Sequence, residues 1–300
     1  MPPDRSERTE LVATPDGRRL AVHEAGAPRG RPVFVLHGTP GSGLLYPPWI
    51  DDAARRGLRL IAYDRPGYGG STPRPGRTVA DAADDVRSIA DALGIDRFAV
   101  WGISGGGPHA LACGARCPGR AIAVASLAAP APREAAGLAW HEGMGEGNRE
   151  EFRAAEAGPA ALEAFLVPQR EAFVRGDRAS IDAGFSTLLS PADRSVYDGA
   201  LSTHLTESGR AGLAPGIDGW RDDDLALVRP WGFDLGAVRV PTLLWHGRED
   251  RFVPFAHGQW LGNAIGHAVR NLSDDDGHLT LYVRRIPAVH SWIASAFSPR

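Results

Sequence analysis

The chain has 300 residues, of which 43% are hydrophobic and 23% charged. That balance suits a soluble globular protein with one large domain or a domain carrying an insertion, and it excludes disorder and collagen-like repetition. A formal charge of −3 leaves no basic surplus to neutralise nucleic-acid phosphates or an anionic membrane.

All 33 basic residues are arginine. Without lysine there is no Schiff-base chemistry, no GxxxxGK[ST] phosphate loop and no SxxK acylating site. Two cysteines, Cys113 and Cys117, are too few for a structural zinc site and too close for a disulfide framework, so both are expected as small buried side chains. The amino-terminal stretch MPPDRSERTELVATPDG lacks the apolar core of a signal peptide, and no run of ~18 apolar residues occurs; a cytoplasmic location is the expectation.

Residues 8–24 alternate apolar and polar around the turn Pro15-Asp16-Gly17, which predicts a hairpin. The short apolar runs Pro32 to Leu36 and Leu58 to Tyr63 predict buried strands, the first entering the loop His37-Gly38 and the second a Pro/Gly-rich loop. Val79 to Leu93 has helical spacing and ends at Gly94; a strand follows over Arg97 to Ile103, a helix over Gly105 to Cys117 and a strand over Ala121 to Leu127. This alternation predicts an α/β fold, a mostly parallel sheet with helices on both faces. It stops at Pro130, and up to Phe233 the text holds only amphipathic helical stretches, such as Ala160 to Val174 and Ala192 to Leu205. The strand pattern resumes at Val240 to Trp245, followed by a helix near Pro254 to Ile265, a strand near His267 to Leu272 and a last helix from Leu279 to Phe297. The predicted division is a core of residues 1–130 and 234–300 with a helical insertion at 131–233.

Trp101-Gly102-Ile103-Ser104-Gly105 contains the start of G-x-S-x-G, completed by Gly106, where a predicted strand passes into a helix. A sharp turn there lifts the serine hydroxyl above the sheet, beside free amides at a helix amino terminus; a helix-capping serine among packing glycines would read the same in isolation. A serine nucleophile needs a base and an orienting carboxylate. Asp250 lies in the loop after the strand at Val240 to Trp245, with Glu249 as a rival that reads as a solvated loop charge. His278 lies in a Gly-bounded loop after the next strand, and His246, His257, His267 and His290 are its neighbours in sequence. Asp274 to Asp276 reads as a solvated loop face rather than a cation site. In His37-Gly38-Thr39-Pro40-Gly41 the proline has no amide, so the N–H of Thr39 pairs with that of Gly105 as oxyanion donors, unless the loop merely turns the chain.

Taken together, HGTPG at 37–41, DRPGYGGS at 64–71, GISGG at 102–106, HGREDRFVP at 246–254 and DGH at 276–278 resemble the α/β-hydrolase fold superfamily, in its serine-hydrolase branch with a helical cap. The resemblance spans almost the whole chain, and the order Ser, Asp, His is the one that superfamily uses. It implies Ser104 as nucleophile, His278 as base, Asp250 as its partner, the amides of Thr39 and Gly105 as oxyanion hole, and the insertion as a cap. No metal or organic cofactor is implied.

A serine at the nucleophile position argues against epoxide hydrolysis and dehalogenation, which use aspartate there, and leaves ester or lactone hydrolysis of a small acyl substrate. HGTPG is similar to the oxyanion loop of prolyl aminopeptidases, which recognise a free amino terminus with cap carboxylates; Glu142, Glu146, Glu150, Glu151 and Glu156 fit either that role or a solvated helical face. The same triad would also serve a ligand-binding protein with little turnover or a cofactor-free perhydrolase. Leu138, Trp140, Met144, Phe152, Phe165, Leu166, Phe173, Trp220 and Trp231 divide between an acyl pocket and the insertion's own core.

Overall fold

The computed structural model describes residues 8–297, so the first seven residues of the polar amino-terminal stretch lie outside the described ones. Eight strands form one sheet: β1 (Arg8–Ala13), β2 (Arg19–Gly26), β3 (Arg31–Leu36), β4 (Leu58–Tyr63), β5 (Phe98–Ile103), β6 (Ala121–Leu127), β7 (Thr242–Gly247) and β8 (Val269–Ser273). Their spatial order is β1-β2-β4-β3-β5-β6-β7-β8. The β1–β2 hairpin and the β2–β4 pair are antiparallel, and every pairing from β4 to β8 is parallel.

Side chains along a strand alternate between the two faces of the sheet, and both faces here are covered. Phe34, Val100 and Val124 pack under α2 (Ala82–Ala92) and α3 (Gly106–Arg116). Val35, Trp101 and Ala125 pack on the opposite face under α1 (Pro47–Arg55) and the carboxy-terminal helix. This two-sided burial is why the strands read as continuous apolar runs. The helix expected over Val79 to Leu93 begins with a 3-10 turn at Val79–Asp81. Cys113 and Cys117 are free and buried.

Between β6 and β7 run six helices, α4 (Glu146–Ala157), α5 (Pro159–Arg175), α6 (Arg178–Phe185), α7 (Pro191–Arg194), α8 (Gly199–Leu213) and α9 (Asp218–Val228), with no strand among them. Leu162, Leu166, Leu213 and Trp220 form a separate apolar cluster there, joined by Tyr68 from the core. The stretch Ala192 to Leu205, expected as one helix, is broken. Asp198 is extended, and its carboxylate accepts the Leu201 N–H at 2.9 Å, so an N-cap restarts the chain as α8. After β7 come α10 (Phe255–Ala264), β8, α11 (His278–Thr280), a π turn at Leu281–Arg285 and α12 (Ile286–Ala296). No helix among the described residues is long and apolar enough to cross a membrane.

The chain leaves β3 toward β4 on one side and leaves β5 toward β6 on the other. At such a reversal the connecting loops diverge and a crevice opens beyond the carboxyl ends of the strands. The 37–43 loop, Ser104 and the loops after β7 and β8 all lie at that end.

Candidate active site

Ser104 turns the chain from β5 into α3 with φ of 55°, one of two non-glycine residues with positive φ among those described. Such a conformation persists in a residue with a side chain only when the surroundings over-determine it. Here the Ser104 N–H donates to the Leu127 carbonyl at 2.9 Å, and its own carbonyl accepts the Gly107 N–H at 2.9 Å. The tight crossing also needs glycine beside it, because a Cβ on Gly106 would collide with the Leu36 carbonyl of β3.

His278 opens α11, and its Nδ1 lies 2.8 Å from Asp250 Oδ2. The other carboxylate oxygen of Asp250 accepts the N–H groups of Phe252 and Val253 at 2.9 and 2.8 Å, which fixes the acid in place. With Nδ1 donating to Asp250, Nε2 is the free imidazole nitrogen. The Phe252 ring stacks on the imidazole at 4.5 Å. Burial alone would lower the His278 pKa, but the charge and hydrogen bond of Asp250, helped by Asp193, outweigh it and hold the pKa above the usual histidine value.

The rival histidines have other partners. His246 has Nε2 2.8 Å from the Val253 carbonyl and 3.6 Å from Asp250 Oδ2, and burial lowers its pKa. His257 bridges the Ala131 N–H and the Trp140 carbonyl, His290 pairs with Asp52, and His267 is exposed against the Val240 carbonyl. Glu249 is exposed and accepts the Ala192 N–H at 3.4 Å. The expected solvated face at Asp274 to Asp276 holds for the first two residues only: Asp276 is buried and paired with Arg285 at 2.7 Å. No group of three or more metal-ligating side chains occurs among the described residues.

Thr39 lies against Gly105, where a Cβ would come within 3.4 Å of the Thr39 amide nitrogen. Its hydroxyl donates to Asp223 Oδ2 at 2.8 Å and accepts from Arg65 Nη2 at 3.1 Å. Arg65 also donates to the carbonyls of His37 and Gly38, and Arg77 and Tyr68 complete the ring around Asp223. Burial would raise the Asp223 pKa, yet the two guanidinium groups drive it well below the usual carboxylate range.

Ser104 and His278 line one cavity of about 400 Å³, walled by apolar groups that include Leu44, Phe185 and Leu188. Of the apolar residues expected to divide between pocket and core, Phe165, Phe173 and Trp220 reach the cavity, whereas Trp140 and Trp231 are buried in the core cluster of the sheet's α2–α3 face. A smaller recess beside it is lined by Thr39, Ser104, Gly105, Glu151 and Asp224. Of the two roles open to the glutamates, Glu151 does not show that of a solvated face: it is half-buried and accepts the Trp220 indole N–H at 2.6 Å. Burial, followed by the neighbouring Glu151 charge, pushes the Asp224 carboxyl well up, and both of its oxygens are buried without a hydrogen-bond partner among the described residues.

In the sequence Asp193, Asp223 and Asp224 are not singled out, whereas Glu151 is one of the five glutamates that fit amine recognition. The signal for Asp223 and Asp224 is the run Asp222 to Asp224 in a helix with apolar neighbours, all three of which prove to be buried.

The chain is 28% identical over 278 residues to the "AB hydrolase superfamily protein YisY" of Bacillus subtilis (strain 168), covering 90% of this chain and 92% of that one. It is 36% identical over 110 residues to a proline iminopeptidase of Xylella fastidiosa (strain 9a5c), covering 34% and 33% of the two chains. In structure it is similar to a thermophilic esterase from Thermogutta terrifontis, with a TM-score of 0.69 and 21% identity over 97% of this chain and 100% of that one. The description alpha/beta hydrolase fold matches residues 31–284, and the chain belongs to that family.

Proposed function

We propose that the protein is a serine hydrolase that cleaves a carboxylic ester or lactone of a small, partly apolar substrate. Ser104 is the nucleophile, His278 the base and Asp250 its orienting acid; the N–H groups of Thr39 and Gly105 hold the oxyanion. Residues 131–233 act as a cap over the core of residues 1–130 and 234–300. The observation that carries this is a strained serine at a strand-to-helix turn, sharing a cavity with a histidine whose Nδ1 is held by a buried aspartate.

In the proposed cycle His278 Nε2 takes the Ser104 hydroxyl proton as Oγ attacks the acyl carbon. The carbonyl electron pair moves onto oxygen, which the two amides stabilise. Collapse expels the alkoxide, which takes the proton from His278 and leaves an acyl-Ser104 ester. A water then gives its proton to His278 and attacks that ester, and the acid leaves as Oγ recovers the proton. Asp250 holds the imidazolium through both halves.

The test is reaction with a small fluorophosphonate, with the adduct located by peptide mass spectrometry and Ser104→Ala as control. A single adduct on Ser104 that vanishes in the variant is the expected result. Labelling elsewhere, or none in protein that is folded, overturns the assignment.

A second reading, a prolyl-type aminopeptidase, is favoured by one observation. Glu151 and Asp224 line the recess that also holds Ser104, and the two unpartnered Asp224 oxygens there could accept from a substrate ammonium. The partial likeness to proline iminopeptidases points the same way. Comparing turnover of a prolyl arylamide with that of a short aryl ester separates the two.

A further inference from the structure

We infer that Asp193, carried on α7 of the insertion, is a positioning residue for His278. This rests on the proposed role of His278 as base. Helix α11 begins at His278, and its first amide N–H groups have no partner within the helix. A side chain at the N-cap normally supplies one, but the residue there is Gly277. The acceptor arrives instead from 85 residues earlier in the chain. Asp193 Oδ2 accepts the His278 N–H at 3.1 Å, and Oδ1 accepts those of Leu279 and Thr280 at 2.7 and 3.1 Å.

Two further observations make this a fitted contact. Asp193 is fully buried, and the Ser190 hydroxyl donates to its Oδ2 at 3.1 Å. A Cβ on Gly277 would fall 2.5 Å from each Asp193 oxygen, although its φ of −101° is one that any residue adopts. Gly277 is therefore glycine to admit the carboxylate, and backbone freedom is not the reason. The base of the core is anchored by an acid of the insertion.

The contact also has an electrostatic consequence. His278 faces Asp250 at Nδ1, Asp193 at its backbone, neutral His246 beside Asp250, the Phe252 ring and Ser104 across the cavity. Asp193 in turn faces Ser190, His278 and Asp250. Its charge adds to that of Asp250 in holding His278 protonated to higher pH. Removing that charge lowers the pKa of the base.

The test uses the full chain labelled with 15N-histidine, so that the imidazole titration of His278 is read by NMR without reliance on turnover, beside kcat/KM against pH. Asp193→Asn is expected to lower the His278 pKa and move the acid limb of kcat/KM by the same amount. It is also expected to reduce kcat about tenfold to a hundredfold, the usual cost of a displaced catalytic group. Gly277→Ala is expected to reduce kcat similarly, and to cost nothing further in an Asp193→Ala background, where the space has opened. An unchanged His278 pKa in Asp193→Asn, or additive effects of Asp193→Ala and Gly277→Ala, overturns the inference. If Asp193→Asn does not fold, the Asp193→Ala and Gly277→Ala cycle decides alone. An inactive wild type in which the NMR titration still responds to Asp193 would count against the hydrolase proposal and leave the coupling standing.

Discussion

Asp223 and Thr39 are joined by a 2.8 Å hydrogen bond although 184 residues separate them, so a helix of the insertion holds the loop that lies against Gly105. Asp223 is also the counter-ion of Arg65 and Arg77, both buried. Removing one member of a buried ionic cluster leaves the others uncompensated, which costs more than the cluster itself contributes. Asp223→Asn is expected to lose about 3–5 kcal/mol of stability in urea unfolding. It should also lower kcat by up to about a hundredfold, as when one oxyanion donor is displaced. Thr39→Val keeps the amide and removes the hydroxyl that bonds Asp223 and Arg65, and should cost about 1.5–3 kcal/mol, as for hydrogen bonds to charged groups. Full kcat in Asp223→Asn at a temperature where it is folded would show that the Thr39 loop holds its place unaided.

Ser104, His278 and Asp250 are expected to act as a unit, and units are non-additive. Ser104→Ala and His278→Ala should each lower ester turnover at least about a hundredfold, and the double variant should be no slower than either single one. Asp250→Asn should also be severe, because an amide no longer selects the tautomer with Nδ1 protonated. Steady-state kcat on a short aryl ester measures all four. Independent, multiplying losses would mean that the serine and histidine do not share one chemical step.

Much of the fold and of the site is legible in the amino-acid order. The apolar runs at Pro32 to Leu36 and Ala121 to Leu127 mark strands because both faces of the sheet are covered, and only burial on two sides removes the alternation. Ser104, Asp250 and His278 stand out because each follows a strand in a turn rich in glycine or acid, a local signal. What stays hidden is not local. Asp193 and Asp223 do not stand out, and Glu151 stays open between two roles, since their partners lie at His278, Arg65 and Trp220, distant in sequence. Asp276 is a nearer case: its arginine is only nine residues on, and the turn through α11 brings the two together. The break at Asp198 is a cap inside a stretch whose apolar spacing continues across it, and periodicity does not register caps.

The half-buried His37 and the buried His109, His204 and His257 weaken the fold as pH falls. Burial lowers the pKa of His37 and His109 to about 3 and of His204 and His257 to about 4, with Arg65 adding to the fall at the first two. In the unfolded chain each titrates near the usual value of about 6.5. As pH falls below that value the unfolded chain gains protons that the folded chain refuses, so stability is lost through the interval from about 6.5 down to the folded values. Each histidine contributes a slope of at most about 1.4 kcal/mol per pH unit there. The urea midpoint should therefore fall between pH 7 and pH 5, by less than the four histidines alone would give, because His278 and Asp224, whose folded pKa values are raised, gain stability as pH falls. His204→Gln, the least entangled of the four because its one hydrogen bond is to the Tyr282 hydroxyl, should flatten the slope. A midpoint constant over that range would mean that these rings are protonated in the folded protein.

The Glu151–Asp224 pair places two acids in a recess that could be neutral, and such an arrangement is destabilising unless a ligand uses it. Glu151→Gln keeps the shape, leaves an oxygen for the Trp220 indole N–H and puts an uncharged amide beside Asp224. At neutral pH it removes the like-charge conflict, and stability should rise by on the order of 1 kcal/mol, the usual gain when a strained functional site is relaxed. Short aryl esters, which carry no charge, should be hydrolysed at near wild-type kcat/KM. Prolyl arylamide turnover, where it occurs in the wild type, should fall at least about tenfold, since a charge-assisted bond to the ammonium is lost. Urea unfolding with the two assays side by side separates these effects. A variant that is less stable and equally impaired on both substrates would show that Glu151 braces the recess and does not read charge.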